Sequence, residues 1–216
     1  PVGWAYYNRI VTSFPEYVLV ATDGTGQVVA RALSVPFALA ADGRGALPDR
    51  GWDQVLLWAF SDLHHQRAPD TVSAVEVTVS TGHLGRGLSG VLLGALRGNA
   101  RARGFGTLVA PVRPTAKHRE PHTPLSEYAF RTRADGLPHD PWLRTHVRAG
   151  GTVESVAPAS MTIGGSLTQW RAWTGEPFAT TGATVVPGAL VPVHCSVEHD
   201  HAVYVEPNVW VRHALG

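Results

Sequence analysis

The feature that most constrains this chain is a strand that runs straight into a glycine-rich turn and then into a long amphipathic helix. Residues 72 to 80 are rich in β-prone side chains that alternate, with Val75, Val77 and Val79 pointing one way and Glu76, Thr78 and Ser80 the other. The turn Thr81-Gly82-His83-Leu84-Gly85-Arg86-Gly87 follows directly. A helix is predicted from there to about Ala102, with Leu88, Val91, Leu92, Ala95 and Leu96 at the spacing of one buried stripe. Gly104 suits the position just past its end, and Thr107 to Val112 reads as the next strand. Backbone N–H groups at a helix start lack intrahelical partners, and the helix dipole favours anions there. Gly85 and Gly87 remove side chains that would obstruct close approach, and Arg86 adds a cation. The turn is therefore a candidate seat for a pyrophosphate, the alternative being a tight strand-to-helix connection and nothing more.

Two common phosphate motifs do not fit. No lysine follows these glycines, so a P-loop is excluded. Gly85, Gly87 and Gly90 match the glycine positions of a dinucleotide fingerprint, but the carboxylate expected about 20 residues on is replaced by apolar residues near Leu108 and Val109. The balance of 18 basic against 17 acidic residues, without a basic block, argues against a nucleic-acid partner. No apolar run approaches membrane-spanning length. Cys195 is the single cysteine, which rules out an intrachain disulfide and suits a reducing, cytoplasmic setting. His194, Cys195, His199 and His201 follow no zinc spacing, so no metal is expected. The chain begins at Pro1 rather than methionine, and an incomplete N-terminus is expected.

Elsewhere the sequence predicts a hairpin of Tyr17 to Ala21 with Val28 to Val35 around Asp23-Gly24 and Gly26. A loop from Ala38 to Gly51 leads to a helix over Trp52 to Leu63, striped by Val55, Leu56, Ala59, Phe60 and Leu63. Residues 113 to 139 are polar, proline-rich and aperiodic, which predicts a lid or binding loop inserted in one domain spanning 1–216. Asp140-Pro141 signals a helix start, and Gly150-Gly151 its end. Ser166 and Gln169 form a capping box for a short helix that Gly175 stops. Closing strands are predicted near Ala189 to Val193 and Ala202 to Val205, with Val209 to Val211 as an extension.

Val77-Thr78-Val79 followed by Leu84-Gly85-Arg86-Gly87-Leu88-Ser89 and the striped helix resembles motif A of the GNAT acetyltransferase superfamily, Q/R-x-x-G-x-G/A. Gly87 matches the central glycine. Leu84 stands where the family has glutamine or arginine, and Ser89 where it has glycine or alanine. The resemblance covers roughly residues 17 to 153. It implies an α/β (α+β) fold: a mixed, mostly antiparallel sheet with helices on both faces and a splayed V between the family's fourth and fifth strands, here 72–80 and 106–112. It implies acetyl-CoA or another acyl-CoA as cofactor, its pantetheine arm along Val77 and Val79 and its pyrophosphate on Leu84, Gly85, Arg86, Gly87, Leu88 and Ser89. The partner would be a small-molecule amine, with homodimerisation left open.

Amine acylation requires a base for the amine and a donor for the departing thiolate. Glu76 is the candidate base, because desolvation in an apolar strand raises a carboxyl pKa. A solvent-facing or ion-paired role is the alternative. His146, in His146-Val147-Arg148-Ala149-Gly150-Gly151, occupies the place where many family members carry a tyrosine acid, and its imidazolium could supply the proton. A packed structural histidine is the alternative there. Tyr128 could substitute only if the 113–139 segment folds back over the cleft. Asp140-Pro141-Trp142-Leu143-Arg144-Thr145-His146 is also similar to a stretch of GNAT-like domains of polyketide pathways, some of which resemble malonyl-thioester decarboxylases using a histidine with a threonine. Thr115 is the nearest candidate threonine. Arg113, Lys117, His118 and Arg119 could clamp an acidic group. A catalytically inactive scaffold, with Trp142, Trp170, Trp173 and Trp210 lining a binding surface, is a third reading.

Overall fold

The computed structural model describes residues 2–216. Two short helices come first, α1 (Val2–Tyr7) and α2 (Ile10–Ser13), which the sequence reading did not foresee. The hairpin forms as β1 (Val18–Thr22) and β2 (Val28–Phe37), antiparallel as expected. Then come α3 (Gly51–His64), β3 (Thr71–Val79), α4 (Leu88–Ala102) and β4 (Thr107–Val112). Beyond lie α5 (Leu125–Tyr128), α6 (Pro141–Arg148), β5 (Gly151–Ser166), α7 (Leu167–Thr174), β6 (Gly182–Thr184), β7 (Val193–Ser196) and β8 (His201–Ala214).

The strands form one sheet in the order β1-β2-β3-β4-β8-β7-β6, with β5 also on β8. Every pairing is antiparallel except β3 with β4. That parallel pair is joined only at Val72–Leu108 and Ser73–Val109. Past Ser73 the two strands separate, so the V expected between 72–80 and 106–112 is present. Helices α1 and α3 lie together against one face, where α3 meets β2 and β5. Helix α4 covers β1 to β4 on the other, and α6 contacts both α4 and β5. The main core packs Phe37, Leu56, Val72, Leu96, Leu108 and Leu143 between these layers, each at most 2% exposed. Their transfer from water supplies the dominant stabilisation.

Several local readings need correction. The buried stripe of α4 is Leu92, Leu93, Leu96 and Ala100, whereas Val91 is 63% exposed and Ala95 faces outward. The spacing was legible, but its phase depends on how the helix leaves the glycine turn. Leu63 likewise ends the α3 stripe on the surface. Strand β5, 16 residues long, was missed because Gly, Ser, Thr, Ala and Pro158 mask any alternation. It forms because β8 pairs along its length, with irregularities after Val153 and Ala157. The predicted strand at 189–193 forms four residues later as β7, and the two C-terminal pieces fuse into β8.

Residues 113 to 139 are not a free lid. They hold a short 3-10 turn at Lys117–Arg119 and helix α5. Asp140 binds them down: its Oδ1 caps α6 by accepting from Trp142 N (2.9 Å) and Leu143 N (3.1 Å), while its Oδ2 accepts from Ala116 N (2.9 Å) and the Tyr128 hydroxyl (3.1 Å). Lys117 is fully buried and donates to the Glu120 and Leu190 carbonyls, at 2.6 and 2.8 Å. Burial depresses its pKa. These contacts remove Lys117 and Tyr128 from the list of groups that could reach a ligand.

Candidate active site

The V opens a cavity of about 480 Å3 that passes through the sheet. Its walls are the separated strands, from Ala74 to Val77 on β3 and from Ala110 to Val112 on β4. On the α4/α6 side it is lined by Ser89, Leu93, Trp142 and His146. On the α1/α3 side it is lined by Trp4, Tyr7, Trp52, Glu76, Glu206 and Asn208. Thr115 and Arg113, just past β4, also reach it.

The bulge that shapes β3 is visible in its register. Leu33 opposes Glu76 and Ser34 opposes Ala74, so Val75 has no partner on β2. Its carbonyl accepts instead from the Trp52 indole at 2.9 Å. Glu76 and Thr78 share the face that meets Arg31 and Tyr7. The Glu76 carboxylate pairs with the Arg31 guanidinium and accepts from the Thr78 hydroxyl at 2.9 Å, and Arg31 also reaches the Tyr7 hydroxyl at 3.1 Å. Burial pushes the Glu76 pKa up, and the Thr78 hydrogen bond opposes that rise. Glu76 thus lines the cavity and takes part in an ion pair with Arg31. Glu206, which sequence reasoning passed over, is 4% exposed and holds Arg113 Nε at 2.9 Å and the Tyr204 hydroxyl at 2.9 Å.

At the other mouth the turn has the shape expected of an anion seat. Gly85 and Gly87 both have φ +76, a left-handed conformation that favours glycine, and nothing lies within 4 Å of where a Cβ would stand. Gly87 is the N-cap of α4 and offers no side-chain cap. Among the described residues, no protein acceptor takes the N–H groups of Gly85, Arg86, Gly87, Leu88 or Ser89. Leu84 is 62% exposed; Val77 and Ser89 line the cavity, whereas Leu84, Gly85, Arg86, Gly87 and Leu88 lie outside its lining. Val79 lies further along β3, outside the lining. No group of three or more His, Cys, Asp or Glu side chains among the described residues could hold a metal ion. Among the described residues, no helix is long and apolar enough to cross a membrane.

His146 sits in the second turn of α6, its ring 4.6 Å from that of Trp142 and edge-on to it. It is 2% exposed, and its Nδ1 lies 3.0 Å from Nε2 of His213 on β8. Burial, with the neighbouring His213, lowers the His146 pKa to about 3. Burial and the Arg97 cation lower that of His213 to about 4. The imidazolium invoked from the sequence is therefore disfavoured, because the site is drier than a helix-boundary position suggested. Nor could the pattern of the sequence reveal His213, which lies 67 residues away.

These depressed values predict how stability depends on pH. Unfolded histidines take up protons as pH falls through 6.5, whereas the folded pair resists. Its contribution is complete above that pH and is lost on acidification toward pH 4, by up to about 1.4 kcal/mol per ring per pH unit. Urea unfolding at stepped pH should show this slope, and His146→Leu should make it shallower. An unchanged slope would contradict the buried neutral pair.

No protein-family model matches the sequence. Arginine N-acetyltransferase avaD of Aspergillus versicolor is 37% identical over all of this chain and 82% of its own length. The chain belongs to the GNAT superfamily of acyltransferases. Two solved GNAT-like structures share its fold. The loading GNATL domain of CurA from Lyngbya majuscula superposes with a TM-score of 0.63 at 16% identity, over 97% of this chain and 81% of that one. The GphF GNAT-like decarboxylase in complex with isobutyryl-CoA gives 0.58 at 18%, over 98% and 85%. This GNAT protein is an acyl-CoA-dependent N-acyltransferase.

Proposed function

We propose that this GNAT enzyme moves an acetyl group from acetyl-CoA to an amine of arginine or a closely related cationic small molecule. The observation that carries the reading is the cavity between β3 and β4, which reaches Ser89, next to the open glycine turn, on one side and holds Glu76 and Glu206 on the other. CoA would enter from the α4 side, with its pyrophosphate on the N–H groups of Gly85 to Ser89 and its arm along the unpaired edge of β3 at Val77. The acceptor would enter from the α1/α3 side, where Glu76 and Glu206 favour a cation and Trp4, Tyr7 and Trp52 enclose an aliphatic stem. The similarity to an arginine N-acetyltransferase supports the same acceptor class.

In this reading Glu76 takes the proton from the attacking amine, directly or through one water. The nitrogen adds to the thioester carbonyl, and the tetrahedral adduct expels the CoA thiolate. The thiolate leaves with its electron pair and takes its proton from solvent, and His146 lines the cofactor side of the cavity. Incubation with acetyl-CoA and arginine should release thiol and yield arginine heavier by one acetyl group. Thiol release without an acetylated product would defeat the acceptor assignment.

A second reading has its own observation: Thr115 and His146 line the same cavity although 31 residues of chain separate them. Those are the residue types of the decarboxylating GNAT-like domains that the 140–146 stretch resembles. Malonyl-CoA converted to acetyl-CoA and carbon dioxide without any amine would favour that chemistry. Inert malonyl-CoA alongside acetylated arginine would dismiss it.

A further inference from the structure

Glu206 is 4% exposed, and the hydrogen bonds that hold it run in one direction. The backbone N–H of Trp52, in the first turn of α3, donates to Ser160 Oγ at 2.9 Å. Ser160 Oγ donates to Asn208 Oδ1 at 2.6 Å. That turns Asn208 Nδ2 toward Glu206 Oε1, 3.3 Å away, and the Pro207 carbonyl, 2.9 Å away. Glu206 Oε2 in turn accepts from the Tyr204 hydroxyl and from Arg113 Nε, each at 2.9 Å. Ser160, Asn208 and Tyr204 are buried like Glu206. The Arg113 side chain differs from them: it is 46% exposed and lines the cavity.

The Arg113 guanidinium is fixed from a second direction as well. Its Nη2 donates to the Gly188 carbonyl at 2.7 Å. Gly188 has φ +83, which favours glycine, and Leu190 N donates to the Tyr204 hydroxyl at 2.9 Å, tying this turn to Glu206. Nε and Nη2 share one edge of the guanidinium plane, and the protein occupies that edge. The Nη1 end has no protein acceptor among the described residues. Such an end presents parallel N–H groups spaced to match both oxygens of a carboxylate. Freezing a long side chain is part of the cost of binding, and here folding has already frozen it.

We propose that Arg113 is a specificity-determining residue that takes the carboxylate of the acceptor, so that the preferred substrate is an amino acid rather than a simple amine. The proposal rests on the acceptor reading above, in which a cationic amine enters the cavity. Glu206 carries the opposite charge beside Arg113, and Glu76 lines the same cavity. The acceptor side thus presents both signs. A zwitterion matches both, whereas a diamine leaves the guanidinium without an anion. Arg113 is held by Glu206, on the α1/α3 side of the sheet and opposite Ser89, so the anion it takes belongs to the acceptor and not to CoA.

Arginine, arginine methyl ester and agmatine form the test panel. The ester removes the negative charge of arginine, and agmatine lacks the carboxylate altogether. The ester also lowers the basicity of the neighbouring amine, so protonation does not account for a slower ester. With acetyl-CoA saturating, wild-type kcat/KM should be roughly 10- to 100-fold higher for arginine than for either analogue, mostly through KM. Arg113→Met should remove that preference by raising KM for arginine, while agmatine stays within about twofold of wild type. Arg113→Lys leaves Glu206 paired with a cation but loses the fork, and its preference should be intermediate. Equal rates on the whole panel, a preference for agmatine, or an arginine preference that survives in the folded variants would overturn the proposal. So would a loss shared by arginine and agmatine, which would make Arg113 a structural residue. If no member of the panel is acetylated, the acceptor reading has failed and takes this one with it. If all are acetylated alike, only the role of Arg113 has failed.

Discussion

Replacing Glu76 by glutamine is expected to lower kcat by roughly 10²- to 10⁴-fold while leaving affinity for acyl-CoA unchanged. Glutamine keeps the shape of the side chain and can still meet the Thr78 hydroxyl, but it cannot take a proton. The structural cost should be small, because Arg31 is half exposed and a partly solvated ion pair contributes about 1 kcal/mol or less. The pH profile adds a sharper check. Burial raises the Glu76 pKa, so wild-type activity should fall on the acid side as that carboxylate protonates, and the glutamine variant should lack this limb. Removing the Arg31 guanidinium by Arg31→Leu takes away a charge that favours the anion. The limb should then move to higher pH. Steady-state kinetics at saturating arginine and acetyl-CoA measure both effects. A glutamine variant with wild-type turnover would show that the amine arrives already deprotonated and that Glu76 serves only the ion pair.

The second large effect is expected at the glycine turn. Gly87→Asp should weaken CoA binding by about 100-fold or more in calorimetric titration, for two additive reasons. The carboxylate would occupy the mouth where phosphates approach the N–H groups of 85–89, replacing attraction by repulsion. The residue would also have to hold φ +76, which costs a residue with a Cβ about 1–2 kcal/mol. The surroundings allow the two to be separated. Nothing in the protein lies within 4 Å of the added Cβ, so internal crowding is not a third cause. Gly87→Ala carries the backbone cost alone and should lose far less affinity. Equal affinities for wild type and Gly87→Asp would remove the turn from the cofactor site.

The turn proposed for the cofactor was legible because its geometry is local. A strand, two glycines and a helix start within 20 residues of chain specify both the turn and the unpartnered N–H groups that face out of it. The caps at Asp140 and Ser166 were legible for the same reason: each is a contact between residues two or three apart. The misreadings share the opposite property. Strand β5 has almost no pattern of its own and exists through β8, about 50 residues later. The segment 113–139 looked loose because its anchors, the buried Lys117 amine and the Asp140 carboxylate, are polar residues that composition assigns to the surface.

The acceptor half belongs to the tertiary structure. Glu76 could be picked out as a candidate from its strand, but Arg31 meets it through the pairing of β2 with β3, and Tyr7, Trp52 and Glu206 share a cavity with it because β3 and β4 separate there. The charge state of His146 was decided in the same way. Its position in the chain marked it as interesting, whereas a neighbouring imidazole from β8 and near-complete burial make it neutral. By itself the sequence determined the glycine turn, the helix that follows it and the caps at Asp140 and Ser166, since hydrogen bonds and φ angles within a few residues specify those. Only the folded sheet determined which distant side chains share one dry cavity, because desolvation and pairing depend on neighbours that the chain order does not name.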